Sequence, residues 1–350
     1  MSMPQAMKAA VLVEQKKPLV ITEVQLPGAL EVGQVLVKVH FTGICGSQIG
    51  EIDGSKGPDK FLPHLLGHEA SGTVIEVGPG VRQVKPKDKV VMHWRKGLGI
   101  EAAPPVFSWN GRKMNAGWVA TFNEYAIVSE NRLTCIPPDT DLRIASLFGC
   151  AVTTGFGVVE NNAKVRPGES VVVFGAGGIG LSIVQAGSLV SAYPIVAVDL
   201  HDNRLDLAAK LGATHCVNAA KEDARSAIEA AVGKGGVDVF IDNTGLPAII
   251  ELGYAMTKPQ GRVTLVGVPK AGANISLYSL PLHFGKILSG SHGGESTPER
   301  DIPRYLGLHR AGMLNLSALL TEQFPLDEIN TAIECMRSGS AAGRCLIKLD

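Results

Sequence analysis

Two groups of residues in this chain have the types and spacing for chemistry. The first is Gly175-Ala176-Gly177-Gly178-Ile179-Gly180, which closes the apolar run 171–174 and opens the apolar stretch 179–184. Gly175 permits a tight turn, Gly177 lets the backbone approach a pyrophosphate with no Cβ in the way, and Gly180 lets the following helix pack closely on the strand. The N-terminus of that helix offers unpaired N–H groups and partial positive charge to phosphates. A further apolar run, 195–198, ends in Asp199, nineteen residues after Gly180. That is near the spacing at which a carboxylate accepts from a ribose 2′-hydroxyl. Strand, glycine turn, helix, strand and acid in one short unit read as a dinucleotide site, against the alternative of a glycine turn that binds nothing. The expected contacts of the turn are Gly175, Gly177, Gly178, Ile179 and Gly180. A carboxylate at Asp199 would repel a 2′-phosphate, so NAD is expected over NADP. Arg204 could pair with such a phosphate, bond to the ribose edge, or remain a solvated helix residue.

The second group is Cys45, His68, Glu69 and Cys150. Cys45 lies in Gly43-Ile44-Cys45-Gly46-Ser47, His68 and Glu69 follow Gly67, and Cys150 ends Phe148-Gly149-Cys150. Two thiolates and an imidazole give a tetrahedral zinc ion three protein ligands and leave a fourth position for water or substrate. From spacing alone, buried structural cysteines and a satisfied histidine remain the competing reading.

The first part of the chain, which carries Cys45, His68 and Glu69, reads as β-rich. Residues 9–13, 35–41, 71–77 and 89–92 are short runs of strand formers, punctuated by Gly33, Gly78-Pro79-Gly80 and Pro86. From about Ala145 the pattern changes. The largely apolar runs 171–174, 195–198, 237–241 and 263–266 suit strands buried on both faces. Helical stretches such as 205–211 and 224–231 alternate with them, which implies a right-handed, doubly wound parallel sheet. After about Gly290 the character is mixed again, ending in an expected helix at 326–337 and a strand at 344–349. The expectation is therefore an α/β chain with a Rossmann sheet, residues 155–290, inserted into a β-rich catalytic domain, residues 1–154 and 291–350.

The totals narrow the function classes. With 350 residues the chain can bury a large core in two domains. Lys and Arg number 33, Asp and Glu also 33, so nothing argues for a nucleic acid or an anionic membrane partner. No apolar stretch approaches a membrane span, and residues 1–13 read as a first strand rather than a signal peptide. The six cysteines contain no C-x-x-C pair. A reduced, cytoplasmic protein is the simplest reading.

These motifs together, with Val266-Gly267-Val268-Pro269 and the region of Arg344, resemble the zinc-dependent alcohol dehydrogenases of the medium-chain dehydrogenase/reductase superfamily along nearly the whole chain. The resemblance implies a GroES-like β-rich domain joined to the Rossmann domain, a homodimer or homotetramer, and a small-molecule substrate. It implies Cys45, His68 and Cys150 as catalytic zinc ligands and Glu69 as an alternative ligand. Ser47 matches the hydroxyl that takes the substrate proton. Asp199 and Arg204 match adenosine-ribose contacts, Thr154 a residue near the nicotinamide, Arg344 a pyrophosphate partner, and Val266 and Val268 neighbours of the cofactor. The implied chemistry is Lewis-acid activation of an alcohol by zinc, with hydride passing to NAD.

The chain also departs from that family. Relatives with a second, structural zinc hold it by four closely spaced cysteines, and residues 93–117 contain none, so one zinc per chain is expected. Trp94, Trp109 and Trp118 fall in or beside this stretch instead. They serve either as an apolar core or as lining of the substrate cleft, with Trp94 and its neighbour His93 the candidates for the pocket. Gln48 replaces a second-sphere aspartate, and Gly50 stands where some relatives place a proton-relaying histidine, which leaves water or the ribose to carry the proton beyond Ser47. A substrate with several hydroxyls or an anionic group suits this stretch better than a simple alkyl alcohol. Two other readings compete: a zinc-free quinone or enone reductase of the same superfamily, and a non-catalytic NAD-binding protein.

Overall fold

The computed structural model describes residues 3–349. Numbered along the chain, five short strands close a small barrel: β1 (Ala6–Leu12), β2 (Val20–Gln25), β7 (Val106–Trp109), β8 (Arg112–Asn115) and β4 (His64–Leu65), in that order. A seven-stranded sheet follows the order β10 (Leu133–Ile136), β6 (Lys89–His93), β5 (Glu69–Val77), β3 (Gln34–Gly43), β18 (Arg344–Lys348) and β17 (Leu320–Pro325), with β9 (Tyr125–Ser129) also paired to β3. The third sheet has six strands, all parallel, in the order β13 (His215–Asn218), β12 (Ile195–Asp199), β11 (Val171–Phe174), β14 (Val237–Asp242), β15 (Thr257–Leu265) and β16 (Ile287–Gly290). The helices are α1 (Gly46–Ile52), α2 (Leu142–Ser146), α3 (Ala151–Gly157), α4 (Gly178–Leu189), α5 (Asp202–Lys210), α6 (Ala224–Val232), α7 (Pro247–Met256), α8 (Pro298–Arg310) and α9 (Ile329–Ser338).

The continuous apolar runs become strands because successive residues feed two different cores. Val171, Val173, Ala197 and Ile241 are buried on one face of the parallel sheet, and Val172, Phe174, Val196, Val198 and Phe240 on the other. Each of the valine, isoleucine and phenylalanine side chains removed from water contributes about 1.5–3 kcal/mol. The chain steps outward from β11 to β12 and β13, then returns to the other side of β11 for β14, β15 and β16. The switch point therefore lies between β11 and β14, where open α/β sheets bind ligands at the carboxyl ends of the strands. The C-terminal strand β18 pairs with β3, so the last residues of the chain join the sheet built from the first part.

Several elements differ from the sequence expectation. The hairpin β7–β8 turns at Asn110-Gly111, both with positive φ (50° and 72°), and Asn-Gly is the strongest short-range hairpin signal. The expected helix at 326–337 opens as a 3₁₀ turn, Leu326–Glu328, before α9. Helix α8 had no expectation because it is strongly polar and carries Pro303 inside. Among the described residues no single helix is long and apolar enough to cross a membrane. All six cysteines are free thiols.

Candidate active site

Strand register brings one end of the seven-stranded sheet to a point. Gly43, the last residue of β3, pairs with Leu346 of β18, and Glu69, the first of β5, pairs with His93, the last of β6. The segments leaving β3 and entering β5 and β18 therefore meet. Cys45 is the N-cap of α1, with extended backbone, and its backbone N–H donates to Oε1 of Gln48 at 2.7 Å. His68 follows Gly67, whose φ of +98° and close approach to the Thr121 backbone admit no side chain. Cys150 caps α3, held by Gly149, where a Cβ would fall 2.6 Å from Cα of Glu69. The ligating atoms of Cys45, His68 and Cys150 all lie within 4.8 Å of one another.

The charges of this cluster are tightly linked. Cys45 is held well below the ordinary thiol range, first by a hydrogen bond from Cys150, against burial, and then by the Arg344 guanidinium. Cys150 is pushed well up by that same hydrogen bond and by burial, so one proton serves two sulfurs. Burial lowers His68, but the Cys45 thiolate beside it outweighs this and raises it. Glu69 is raised by burial against the pull of Arg344. Its carboxylate ion-pairs with Arg344 at 2.9 Å, both side chains being buried, and accepts from Ala151 N–H at 3.1 Å. His68 Nε2, Ser47 Oγ and Thr154 Oγ1 are buried without a hydrogen-bond partner. A buried imidazole nitrogen with no partner beside two sulfurs fits a zinc ion in its donor set and in its need for one more bond.

The glycine turn is built as its residue types require. Gly175 has φ +95°, a Cβ at Gly180 would collide with the Gly175 carbonyl, and a Cβ at Gly177 would meet nothing within 4 Å. Gly175 and Gly180 serve the fold, and Gly177 faces open space at the N-terminus of α4. A Cβ at Gly178 would lie 2.9 Å from Cδ and Nε of Arg344. The Arg344 side chain thus runs from the glycine turn to Glu69, and it donates to the Ile44 carbonyl at 3.0 Å. Its buried guanidinium is held charged by Glu69 and the two thiols, against burial. Asp199 accepts from Ala176 N–H at 2.7 Å, Leu200 N–H at 2.8 Å and His201 N–H at 3.1 Å, clamping the turn to the end of β12, with Arg204 3.6 Å away. Ile179 and Val266 are half-buried in the core beside the turn, and Val268 is exposed.

Trp94 is half-buried, edge-on to the His292 ring at 4.9 Å, with the Arg95 guanidinium over it. The two expected pocket neighbours part here. His93 is 1% exposed, its Nδ1–H donates to the Arg95 carbonyl at 2.7 Å, and its Nε2 lies 3.0 Å from Thr134 Oγ1. Both ring nitrogens are engaged in the core, so His93 has none to turn toward a substrate. Trp109 packs in the barrel core, and Trp118 lies half exposed beside Arg132. Gln48, expected beside a metal ligand, reaches Nδ1 of His68 with its Nε2 at 2.7 Å, and Asn243, which the sequence reading did not single out, donates from Nδ2 to the Gly175 carbonyl at 3.4 Å. Asn243 could have been found as the residue following β14 across the switch point.

The comparisons agree with this architecture. Residues 31–138 match the family described as alcohol dehydrogenase GroES-like domain, and residues 178–308 the zinc-binding dehydrogenase family. The chain is 33% identical to S-(hydroxymethyl)glutathione dehydrogenase of Escherichia coli O157:H7, over 95% of this chain and 97% of that one. A zinc-binding-domain alcohol dehydrogenase from Burkholderia ambifaria superposes with a TM-score of 0.90 at 30% identity, covering 99% of each chain. Benzyl alcohol dehydrogenase from Acinetobacter calcoaceticus gives 0.89 at 28% identity, over 99% of this chain and 100% of that one. The chain belongs to the zinc-dependent alcohol dehydrogenases of the medium-chain dehydrogenase/reductase superfamily, and its chemistry is that of a zinc-dependent alcohol oxidoreductase.

Proposed function

We propose that the protein transfers hydride between NAD(H) and the hydroxyl or carbonyl of an alcohol, polyol or sugar-derived substrate, with one zinc held by Cys45, His68 and Cys150. The observation that carries this reading is the unpartnered His68 Nε2 beside two sulfurs, close to where Arg344 reaches back to the glycine turn. Zinc there supplies Lewis acidity, which lowers the pKa of a hydroxyl it binds. Ser47, its Oγ buried and free, accepts the substrate proton, and no side chain at Gly50 continues the relay. Gly175, Gly177, Gly178, Ile179 and Gly180 cradle the pyrophosphate, Asp199 and Arg204 hold the adenosine ribose, and Thr154, Val266 and Val268 border the nicotinamide. Arg344 neutralises phosphate charge from its place beside Gly178, and Glu69 keeps that guanidinium in position or substitutes as a ligand. Asp199 selects NAD over NADP. Trp94 borders the substrate, and Arg95 supports a polyhydroxylated or anionic one. The catalytic unit is 1–154 with 291–350, and the nucleotide unit 155–290.

The outer strand of the parallel sheet supports a homodimer or homotetramer. Among the described residues β16 has one free edge, and Tyr278, Phe284 and Ile287 at or near it are exposed.

The test is a screen of polyols, sugars, S-substituted glutathione and aromatic alcohols, following NADH, with zinc measured on the same preparation. The expected outcome is NAD reduction, about one zinc per chain, and at least tenfold lower kcat/KM with NADP. Turnover that survives full removal of zinc, or equal use of NADP, overturns the corresponding part.

A further inference from the structure

Gln48 has one oxygen to offer two N–H groups. It is buried in α1 at 1% exposure, and its side chain spans the metal cluster. Oε1 accepts from the Cys45 backbone N–H at 2.7 Å, and Nε2 lies 2.7 Å from Nδ1 of His68. A backbone amide only donates, so the oxygen belongs on the Cys45 side and the NH2 on the histidine side. Nδ1 of His68 must then accept, and the neutral ring carries its proton on Nε2. With Nδ1 taken up by Gln48, Nε2 is the nitrogen that faces the sulfurs, buried and unpartnered. A metal needs the lone pair of that nitrogen. Ligation through Nε2 therefore sends the ring proton to Nδ1, where it meets the NH2 of the amide. Turning the amide over only moves the conflict to the Cys45 N–H. A carboxylate at this position would accept from both donors at once.

We propose that Gln48 is a positioning residue that acts against zinc: it holds His68 in the Nε2–H form and makes the metal site weaker and faster-exchanging than a carboxylate would. The inference rests on the zinc reading of Cys45, His68 and Cys150. An N–H left facing another donor inside a protein loses roughly 10- to 100-fold in binding.

The experiment uses the full-length protein, stripped with a chelator and reloaded with zinc, as wild type, Gln48→Glu and Gln48→Met. Zinc affinity and release rate are read by chelator competition. The His68 tautomer is read by nitrogen-15 NMR of the metal-free, histidine-labelled protein, with His68→Asn for assignment. In metal-free wild type, at a pH where the ring is neutral, His68 is expected as Nε2–H. Gln48→Glu is expected to move it to Nδ1–H, to bind zinc about 10- to 100-fold tighter and to release it more slowly. Gln48→Met removes the opposing NH2 without adding charge, and is expected to bind zinc at least as tightly as wild type. This separates the hydrogen-bond conflict from the attraction of an added carboxylate. An Nδ1–H tautomer in metal-free wild type, or weaker zinc binding in Gln48→Met, overturns the inference, and the wild-type spectrum decides should a variant not fold. Zinc binding at wild-type affinity by Cys45→Ser overturns the zinc reading itself, and this inference with it.

Discussion

His93 illustrates how one side chain can set a pH limit without touching a substrate. Burial pushes its pKa down to about 4, against the hydrogen bond to the Arg95 carbonyl, so the folded protein keeps it neutral. The unfolded chain takes up a proton near pH 6.5 and the folded chain only near pH 4. Between those values the unfolded state binds more protons, so stability falls as pH is lowered through this window. The full loss from this one group is on the order of 3 kcal/mol. In His93→Gln, where an amide can donate to Arg95 and accept from Thr134, thermal unfolding from pH 7 to pH 4 is expected to lose that much of its acid dependence relative to wild type. Parallel curves for the two proteins would show that His93 contributes nothing to the acid limb.

At the scale of elements, the turn from β11 into α4 separates folding from binding within six residues. Gly180 abuts the Gly175 carbonyl, whereas Gly177 opens onto free space. Gly180→Ala is expected to destabilise the protein by about 1–3 kcal/mol through overpacking, seen as a lower Tm. Gly177→Ala is expected to leave Tm nearly unchanged and to raise the Kd for NAD at least tenfold, measured by calorimetry, because on the proposed dinucleotide reading its methyl group enters the space of the pyrophosphate. Unchanged NAD affinity in Gly177→Ala would place the dinucleotide elsewhere. The neighbouring clamp is made by Asp199, which holds Ala176 and the backbone after β12 with both oxygens.

The whole molecule ties its two units together at several points far apart in sequence. The Arg344 side chain touches the glycine turn and pairs with Glu69. Asn203 of α5 donates to the Gly339 and Ser340 carbonyls, so the turn after α9 rests on the helix that carries Arg204. At the other side of the parallel sheet, β16 has an edge unpaired among the described residues, with its own Ile287 at 49% exposure and Phe284 before it at 67%. Exposed apolar edge strands invite pairing with a second copy. The double variant Phe284→Glu, Ile287→Lys is expected to sediment as a smaller species than wild type in analytical ultracentrifugation. An unchanged mass would move the interface away from β16.

Much of the site was legible in the sequence because it rests on residue type over short spans. The glycines at 175, 177 and 180 and the acid at 199 declare a turn, a close approach and a carboxylate whatever the rest of the chain does. Continuous valine runs declared strands buried on two faces, since β-branched residues favour extended backbone and the runs are short. Cys45, His68 and Cys150 offered a donor set by type, which the family resemblance assigned to zinc, but their convergence depends on the pairing of Gly43 with Leu346 and of Glu69 with His93. Such register is a property of strands distant along the chain, and no local pattern carries it. For the same reason only the tertiary structure turned His93 into the core, set Arg344 against a carbonyl 300 residues away, and aimed the amide of Gln48 at His68. Residue types determined which atoms could react, and packing between distant segments decided which of them meet.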